Sequence, residues 1–226
     1  MLARAARSVS VGPPAMHIAI LTFDGFNELD SLVALSVLCR VRAPEWRVTL
    51  ACPTPTVRSM NGVTVHAQCS LAEAGAADAV LIGSGVRTRE LAADPALLAQ
   101  LRCDPARQLL GAQCSGTLLL ARLGLLGGVP ACTDLASKPW VVEAGVEVLD
   151  RPFHAVGNVA TAGGCLAAPY LAAWVIARLV GEAAARDALR YVAPVGEKDE
   201  FVDRALRHVA PCLPAAASAA AAQGRG

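Results

Sequence analysis

Short apolar runs alternate with longer segments of helical period along most of this chain, and that alternation sets the expected fold. His17 to Phe23 is an apolar run closed by Asp24-Gly25, the pattern of a buried strand in a parallel sheet. Asp30 to Arg40 has helical spacing, and Trp46 to Cys52 reads as a second strand ended by Pro53. Between Val57 and Gln68, alternating residues flank Asn61-Gly62, a dipeptide that favours a tight hairpin. Ala77 to Ile82 reads as a strand running into Gly83-Ser84-Gly85, and Leu91 to Leu101 as a helix. Leu109 to Gln113 is the next predicted strand, followed by a helix from Ser115 to Leu126. Val146 to Leu149, Phe153 to Val156 and Val159 to Thr161 read as short strands. Cys165 to Leu179 and Ala183 to Tyr191 read as helices. The order predicts an α/β fold: a doubly wound, mostly parallel sheet with helices on both faces, in one domain over residues 16–213.

The two ends read differently. Residues 1–15 hold Arg, Ser and Pro with no acid, the composition of a disordered leader or transit peptide. A strand begins at Met16, so an upstream start codon, with Met16 opening the domain, is the plainer expectation. Residues 214–226 form an Ala-rich, low-complexity tail. The 226 residues are 54% hydrophobic, enough for one sizeable α/β core. A formal net charge of +1 with scattered Lys and Arg, and only 4% aromatics, argues against nucleic acid and anionic membranes as partners. The longest uncharged apolar run, Cys165 to Ala177, is too short to span a bilayer. Eight cysteines stand at 39, 52, 69, 103, 114, 132, 165 and 212, none in a C-x-x-C pair. Zinc-ribbon and thioredoxin chemistry lack their spacing, and the expectation is a reducing cytoplasm with mostly inert, buried thiols, Cys165 among them.

Cys114 is the exception. It stands where the strand ending at Gln113 turns into a helix, flanked by the small residues Gly111, Ala112, Ser115 and Gly116. That corner resembles a nucleophile elbow, in which a strained turn presents one reactive side chain. The helix that follows points its positive end at the sulfur, which predicts a thiolate. A nucleophile needs a proton-handling partner and stabilisation of developing charge. Ligands collect at the carboxyl ends of strands in doubly wound sheets, so Glu28 and Asp30 after the first strand are the candidate acids. Asp30 fits a helix N-cap as well as a catalytic acid. Gly83 and Gly85 could expose backbone N–H groups to an oxyanion, and Gly163-Gly164 form a second place of close approach; ordinary turn chemistry is the competing explanation for both.

Gly25-Phe-Asn-Glu-Leu-Asp30, Gly111-Ala-Gln-Cys-Ser-Gly116 with Gly124-Leu-Leu-Gly127, and Thr161-Ala-Gly-Gly164 together resemble the ThiJ/PfpI superfamily, relatives of the class I glutamine amidotransferase domain. The likeness covers roughly residues 16–181. It implies a flavodoxin-like, glutamine amidotransferase-like sandwich, a homodimer, a reactive Cys114, and Asp30 as the acid hydrogen-bonded to it. Asp in place of the commoner Glu, with a hydroxyl residue after the cysteine, looks most like the isonitrile hydratase branch, which has Thr where Ser115 stands here. Many members carry a histidine shortly after the elbow helix; here that position is Asp134, which disfavours Cys–His hydrolysis. His17, His66, His154 and His208 supply no evident replacement. Lys138 and Trp140 either line the pocket mouth or begin a helix around Pro139.

The expected activity is a cysteine-dependent hydration of a small molecule: an isonitrile becomes an N-substituted formamide with no metal or organic cofactor. Cys114 and Asp30 would be catalytic, with charge stabilised near Gly85 and Ser115. A glyoxalase or deglycase acting on methylglyoxal-type aldehydes is the alternative enzyme. A non-enzymatic oxidation sensor, storing a sulfinate at Cys114 beside protonated Asp30, is the third possibility.

Overall fold

A computed structural model describes residues 15–214; the expected leader and the expected Ala-rich tail fall on residues up to 14 and beyond 214, outside the described residues. The chain opens with β1 (Met16–Leu21), then a π-helical turn (Leu29–Val33) that runs into α1 (Ala34–Leu38) and on to β2 (Trp46–Cys52). A hairpin of β3 (Thr56–Arg58) and β4 (Thr64–His66) follows, with Gly62 at φ +95° in the turn between them. Next come β5 (Cys69–Ser70), α2 (Leu71–Ala74), β6 (Ala79–Ile82), α3 (Thr88–Leu91) and α4 (Pro95–Leu98). Strand β7 (Leu109–Gln113) leads through a short 3₁₀ turn, Cys114–Gly116, into α5 (Thr117–Arg122), and then comes α6 (Lys138–Glu143). The chain closes with β8 (Phe153–Val156), β9 (Val159–Ala162), a 3₁₀ turn (Cys165–Ala167), α7 (Ala168–Leu179), α8 (Glu182–Val192) and α9 (Lys198–Val209).

Seven strands form one sheet in the order β5-β2-β1-β6-β7-β9-β8, parallel throughout except for β8, which runs antiparallel to β9. Alternation along the strands feeds two cores. Ile18 and Ile20 of β1 join one cluster built on α1, α7, α8 and α9, with Trp174 fully buried in it. Ala19 and Leu21 face the opposite cluster, which includes Leu71, Leu97, Leu118 and Val141. Burying both faces is what lets central strands such as Leu109-Leu110-Gly111-Ala112-Gln113 be apolar almost without interruption.

Three expectations need correction. The helix expected from Leu91 to Leu101 is two short turns, because Asp94 accepts hydrogen bonds from the Ala96 and Leu97 amides and Pro95 opens a new helix at its first position. Val146 to Leu149 is no strand: only Val148 forms an isolated bridge, to Ala131. The helix after the elbow ends at Arg122 rather than Leu126. The chain reversal leaves β1 with β2 on one side and β6 on the other, a switch in strand order that opens a crevice at the strands' carboxyl ends.

Candidate active site

Four strand ends converge on that crevice. Asp30 arrives from the turn after β1, Ser84 from the loop after β6, Cys114 from the end of β7, and Cys165 from the turn after β9. Cys114 holds φ +49°, a left-handed backbone that costs a residue with a side chain about 1–2 kcal/mol. The elbow is fixed around that strain. The Cys114 carbonyl accepts from the Thr133 hydroxyl at 2.8 Å and from the Thr117 amide. A Cβ on Gly116 would stand 2.7 Å from the carbonyl oxygens of both Ile82 and Gly83, so only glycine lets the turn settle this close to β6.

The Cys114 sulfur lies 3.7 Å from Asp30 Oδ1 and 3.8 Å from the Cys165 sulfur. Its S–H can donate to either. Asp30 is 1% exposed and Cys114 3% exposed. Oδ2 of Asp30 accepts a hydrogen bond from the Ser84 hydroxyl. Asp30 is therefore not an N-cap: the residue before the π-helical turn is Glu28, and no side chain caps it. Asn27 Nδ2 donates to the Cys165 sulfur at 3.1 Å, and Gln113 Nε2 donates to the Gly164 carbonyl at 2.8 Å, tying the β7 and β9 ends together. The other amide atom of Gln113, Oε1, is buried without a hydrogen-bond partner among the described residues.

The electrostatics overturn the expected thiolate. Burial, then the adjacent Asp30 carboxylate, push the Cys114 thiol far above its ordinary value. Burial likewise pushes Asp30 up, against hydrogen bonds from Ser84, Cys114 and Cys165 that favour its charged form. The thiol is thus neutral at rest, beside a carboxyl that holds its own proton more readily than usual. The turn and short helix after the elbow do not outweigh the desolvation of a thiolate next to an acid.

The remaining candidates sort by geometry. Gly83 donates its N–H to the Leu21 carbonyl at 3.1 Å, so it has none to offer an oxyanion. The Gly85 N–H faces the Thr88 hydroxyl at 3.1 Å and the Ser115 hydroxyl at 3.4 Å. Ser115 and Thr88 are joined at 2.8 Å, which latches the loop after β6 to the elbow. The amides of Ser115 and Gly116 fall in the first turn of the helical segment that begins at Cys114, where backbone N–H groups have no intrahelical acceptor. Glu28 turns away from the crevice and accepts from Ser59 and Asn61, clamping the β3–β4 hairpin. Asp134 accepts from the Ala136 and Ser137 amides at 2.9 and 3.0 Å, a capping role, and it adds a small repulsion that also raises Asp30. With Lys138, Gly163 and Gly164 it lines a cavity of about 340 Å³. Lys138 also begins α6, and Trp140 lies within that helix under the Arg89 guanidinium. A second cavity of about 420 Å³ is lined by Gly163, Gly164, Cys165 and Leu166. Another cavity, about 490 Å³ near Arg40 and Tyr191, contains none of the cluster.

Cys165 is the residue that sequence reasoning missed. An apolar run containing it suggested an inert core thiol. The available signal was its position just after Gly163-Gly164 at a strand end, which is the same kind of position as Cys114. Asp30, Cys114 and Cys165 bring three ligand atoms within 4.8 Å of one another. A thiophilic cation suits that donor set, yet both thiols bind their protons more tightly than usual, and ligation requires them to leave.

Comparison with known proteins gives the same architecture. The model of the DJ-1/PfpI family matches residues 16–178. A cysteine-to-alanine variant of a DJ-1 superfamily protein from Salmonella typhimurium superposes with TM-score 0.68 at 26% identity, covering 78% of this chain and 97% of that one. A ThiJ/PfpI family protein from Pseudomonas syringae gives TM-score 0.71 at 16% identity, covering 94% and 96%. Schizosaccharomyces pombe DJ-1 gives 0.68 at 17% identity, covering 79% and 100%. No curated protein gives a match.

Proposed function

The chain belongs to the DJ-1/PfpI family, and from that premise we propose that it hydrates isonitriles to N-substituted formamides, with Cys114 as nucleophile and Asp30 as proton carrier. One observation carries the reading: a neutral, 3% exposed thiol stands 3.7 Å from a buried carboxyl whose proton affinity is raised. Such a pair suits a reaction that needs its thiol proton delivered to the carbon under attack. The isonitrile group is a narrow rod ending in that carbon, so it can reach a sulfur that bulkier electrophiles cannot.

The sulfur bonds to the terminal carbon as Asp30 takes the thiol proton. Asp30 returns the proton to the same carbon, giving R–N=CH–S–Cys114. Asp30, again a carboxylate, removes a proton from water as the oxygen adds to this carbon, and that proton passes to nitrogen. The carbon–sulfur bond then breaks, R–NH–CHO leaves, and the sulfur regains a proton. The sum is RNC + H₂O → RNHCHO. The Ser115 and Gly116 amides, in the first turn after the elbow, would stabilise the charge that develops on the adduct. The methylglyoxal alternative requires a further base at the adjacent carbon. His17 is instead bonded to Thr49 at 2.8 Å, and His208 packs on the Tyr170 ring.

The proposed setting is a cytoplasmic homodimer. All eight cysteines are free, as a reducing compartment would keep them. Leu135 and Leu166, 84% and 75% exposed beside the two cavities, offer apolar surface for a second copy. No helix of the described residues is long and apolar enough to cross a membrane. The test is incubation with an alkyl isonitrile, followed by quantifying the formamide. Wild type should form it, with Cys114→Ala and Asp30→Asn at background. Equal formamide from wild type and Cys114→Ala would refute the proposal.

A further inference from the structure

We propose that Cys165 and Cys114 form a reversible disulfide when the protein meets a peroxide, with Cys165 the sulfur oxidised first and Cys114 the one that resolves it. Cys165 lies on the side of the site that the isonitrile reaction leaves idle. It plays no part in that chemistry, yet its sulfur is 3.8 Å from the Cys114 sulfur. Their backbones are held together by the β7–β9 pairing, which sets Gln113 opposite Ala162, and by the Gln113 side chain bonded to the Gly164 carbonyl.

Access separates the two sulfurs. Cys165 is half-buried and lines the cavity of about 420 Å³, whereas Cys114 is 3% exposed and is not part of that lining. Hydrogen bonding separates them too. The Cys165 sulfur accepts from Asn27 at 3.1 Å and from the Cys114 S–H, and both contacts favour its thiolate against the opposing burial and Asp30 charge. Asp30 opposes the Cys114 thiolate as well, and there the hydrogen bond to Cys165 opposes it too, so no contact favours it.

The steps balance with a peroxide as the named oxidant. The Cys165 thiolate attacks the distal oxygen of ROOH, the O–O bond breaks, and RO⁻ leaves with the thiol proton as ROH. This gives Cys165–SOH. Cys114 then attacks that sulfur while Asp30 takes its proton. The S–O bond breaks, and hydroxide leaves as water with the proton from Asp30. Two equivalents of a small thiol restore both cysteines by exchange. The disulfide ties up the Cys114 sulfur, so the site switches off reversibly. It also intercepts oxidation before a sulfinate can accumulate, unlike the sensor expected from the sequence.

The test treats the reduced full chain with one equivalent of hydrogen peroxide, blocks free thiols with N-ethylmaleimide, and maps the digest by mass. The expected result is a loss of about 2 Da, a Cys114–Cys165 linked peptide released by dithiothreitol, and alkylation of the other six cysteines. Cys114→Ser should give no linked peptide and a dimedone adduct at Cys165. Cys165→Ser should label Cys114 with dimedone at least about ten-fold more slowly. Two oxygens gained on Cys114 with Cys165 still alkylated would overturn the proposal, as would a bridge to any other cysteine. The wild-type map decides the pairing even if a variant does not fold, and none of these masses depends on isonitrile turnover.

Discussion

Replacing Asp30 with asparagine should make Cys114 more reactive as a thiolate while abolishing its catalysis. Asp30 Oδ1 lies 3.7 Å from the sulfur, and both groups are almost fully buried. At an effective dielectric near 20, two unit charges at that spacing repel by about 4 kcal/mol. Each ~1.4 kcal/mol is a factor of ten, so the ceiling is on the order of 10³-fold in thiolate population. The substituted amide would keep one carbonyl oxygen, for either the Ser84 hydroxyl or the S–H, and burial of the sulfur is unchanged. About 10²-fold is therefore the working expectation. The assay is pseudo-first-order alkylation of Cys114 by iodoacetamide at fixed alkaline pH, followed by peptide mapping, with the exposed Cys39, remote from Asp30, read in the same digest as an internal reference. Slower alkylation at Cys114 in Asp30→Asn, or an unchanged rate, would refute the reasoning, because an acid that favoured the thiolate would have to be lowering the thiol's proton affinity.

Other consequences are as direct. The thiols of Cys52, Cys103 and Cys132 are each pushed up to about 11 by burial, and Cys114 is pushed higher still. A folded-state value above the unfolded one keeps its stabilising contribution below the ordinary thiol range and loses it as pH rises, so stability measured by urea melts should fall from about pH 9 upward. Cys132→Ala should flatten that alkaline decline; an unaltered slope would contradict the assignment. Gly116→Ala should cost about 1–3 kcal/mol in the same melts, by overpacking against the Ile82 and Gly83 carbonyls, and should also remove activity by shifting the elbow. Full stability there would mean that the turn can move aside. Glu28→Ala should speed amide exchange at Val63 and Gly62 in the β3–β4 hairpin and leave the alkylation rate of Cys114 unaltered; a changed Cys114 rate would return Glu28 to the site.

The parts of the fold legible in the sequence were those where one local signal decided. Trp46 to Cys52 and Leu109 to Gln113 form strands over the expected residues, and Asn61-Gly62 marks the hairpin turn. Expectations failed where tertiary pairing or a cap decided. Val146 to Leu149 has strand composition, but it lies beside a loop and finds a single bridge to Ala131. The Asp94-Pro95 step held a readable break that the apolar spacing of Leu91 to Leu101 concealed. At the site, the elbow was visible as small residues around a cysteine. The protonation of Cys114 was not, because it depends on burial and on Asp30, which stands 84 positions away in sequence. Cys165 was hidden for a related reason: the β7–β9 pairing that brings it to Cys114 is a property of strand order, and no local pattern records it.

The central claim is that Cys114 becomes covalently bonded to the isonitrile carbon on the way to the formamide. The most direct measurement is a single-turnover experiment with protein in excess over an isonitrile carrying ¹³C at its terminal carbon, acid-quenched at intervals and mapped by mass. The account predicts that the labelled carbon appears on the Cys114 peptide as the addition of one whole isonitrile, then decays as labelled formamide accumulates. Label on another residue, or formamide formed at the wild-type rate by Cys114→Ala, would contradict it.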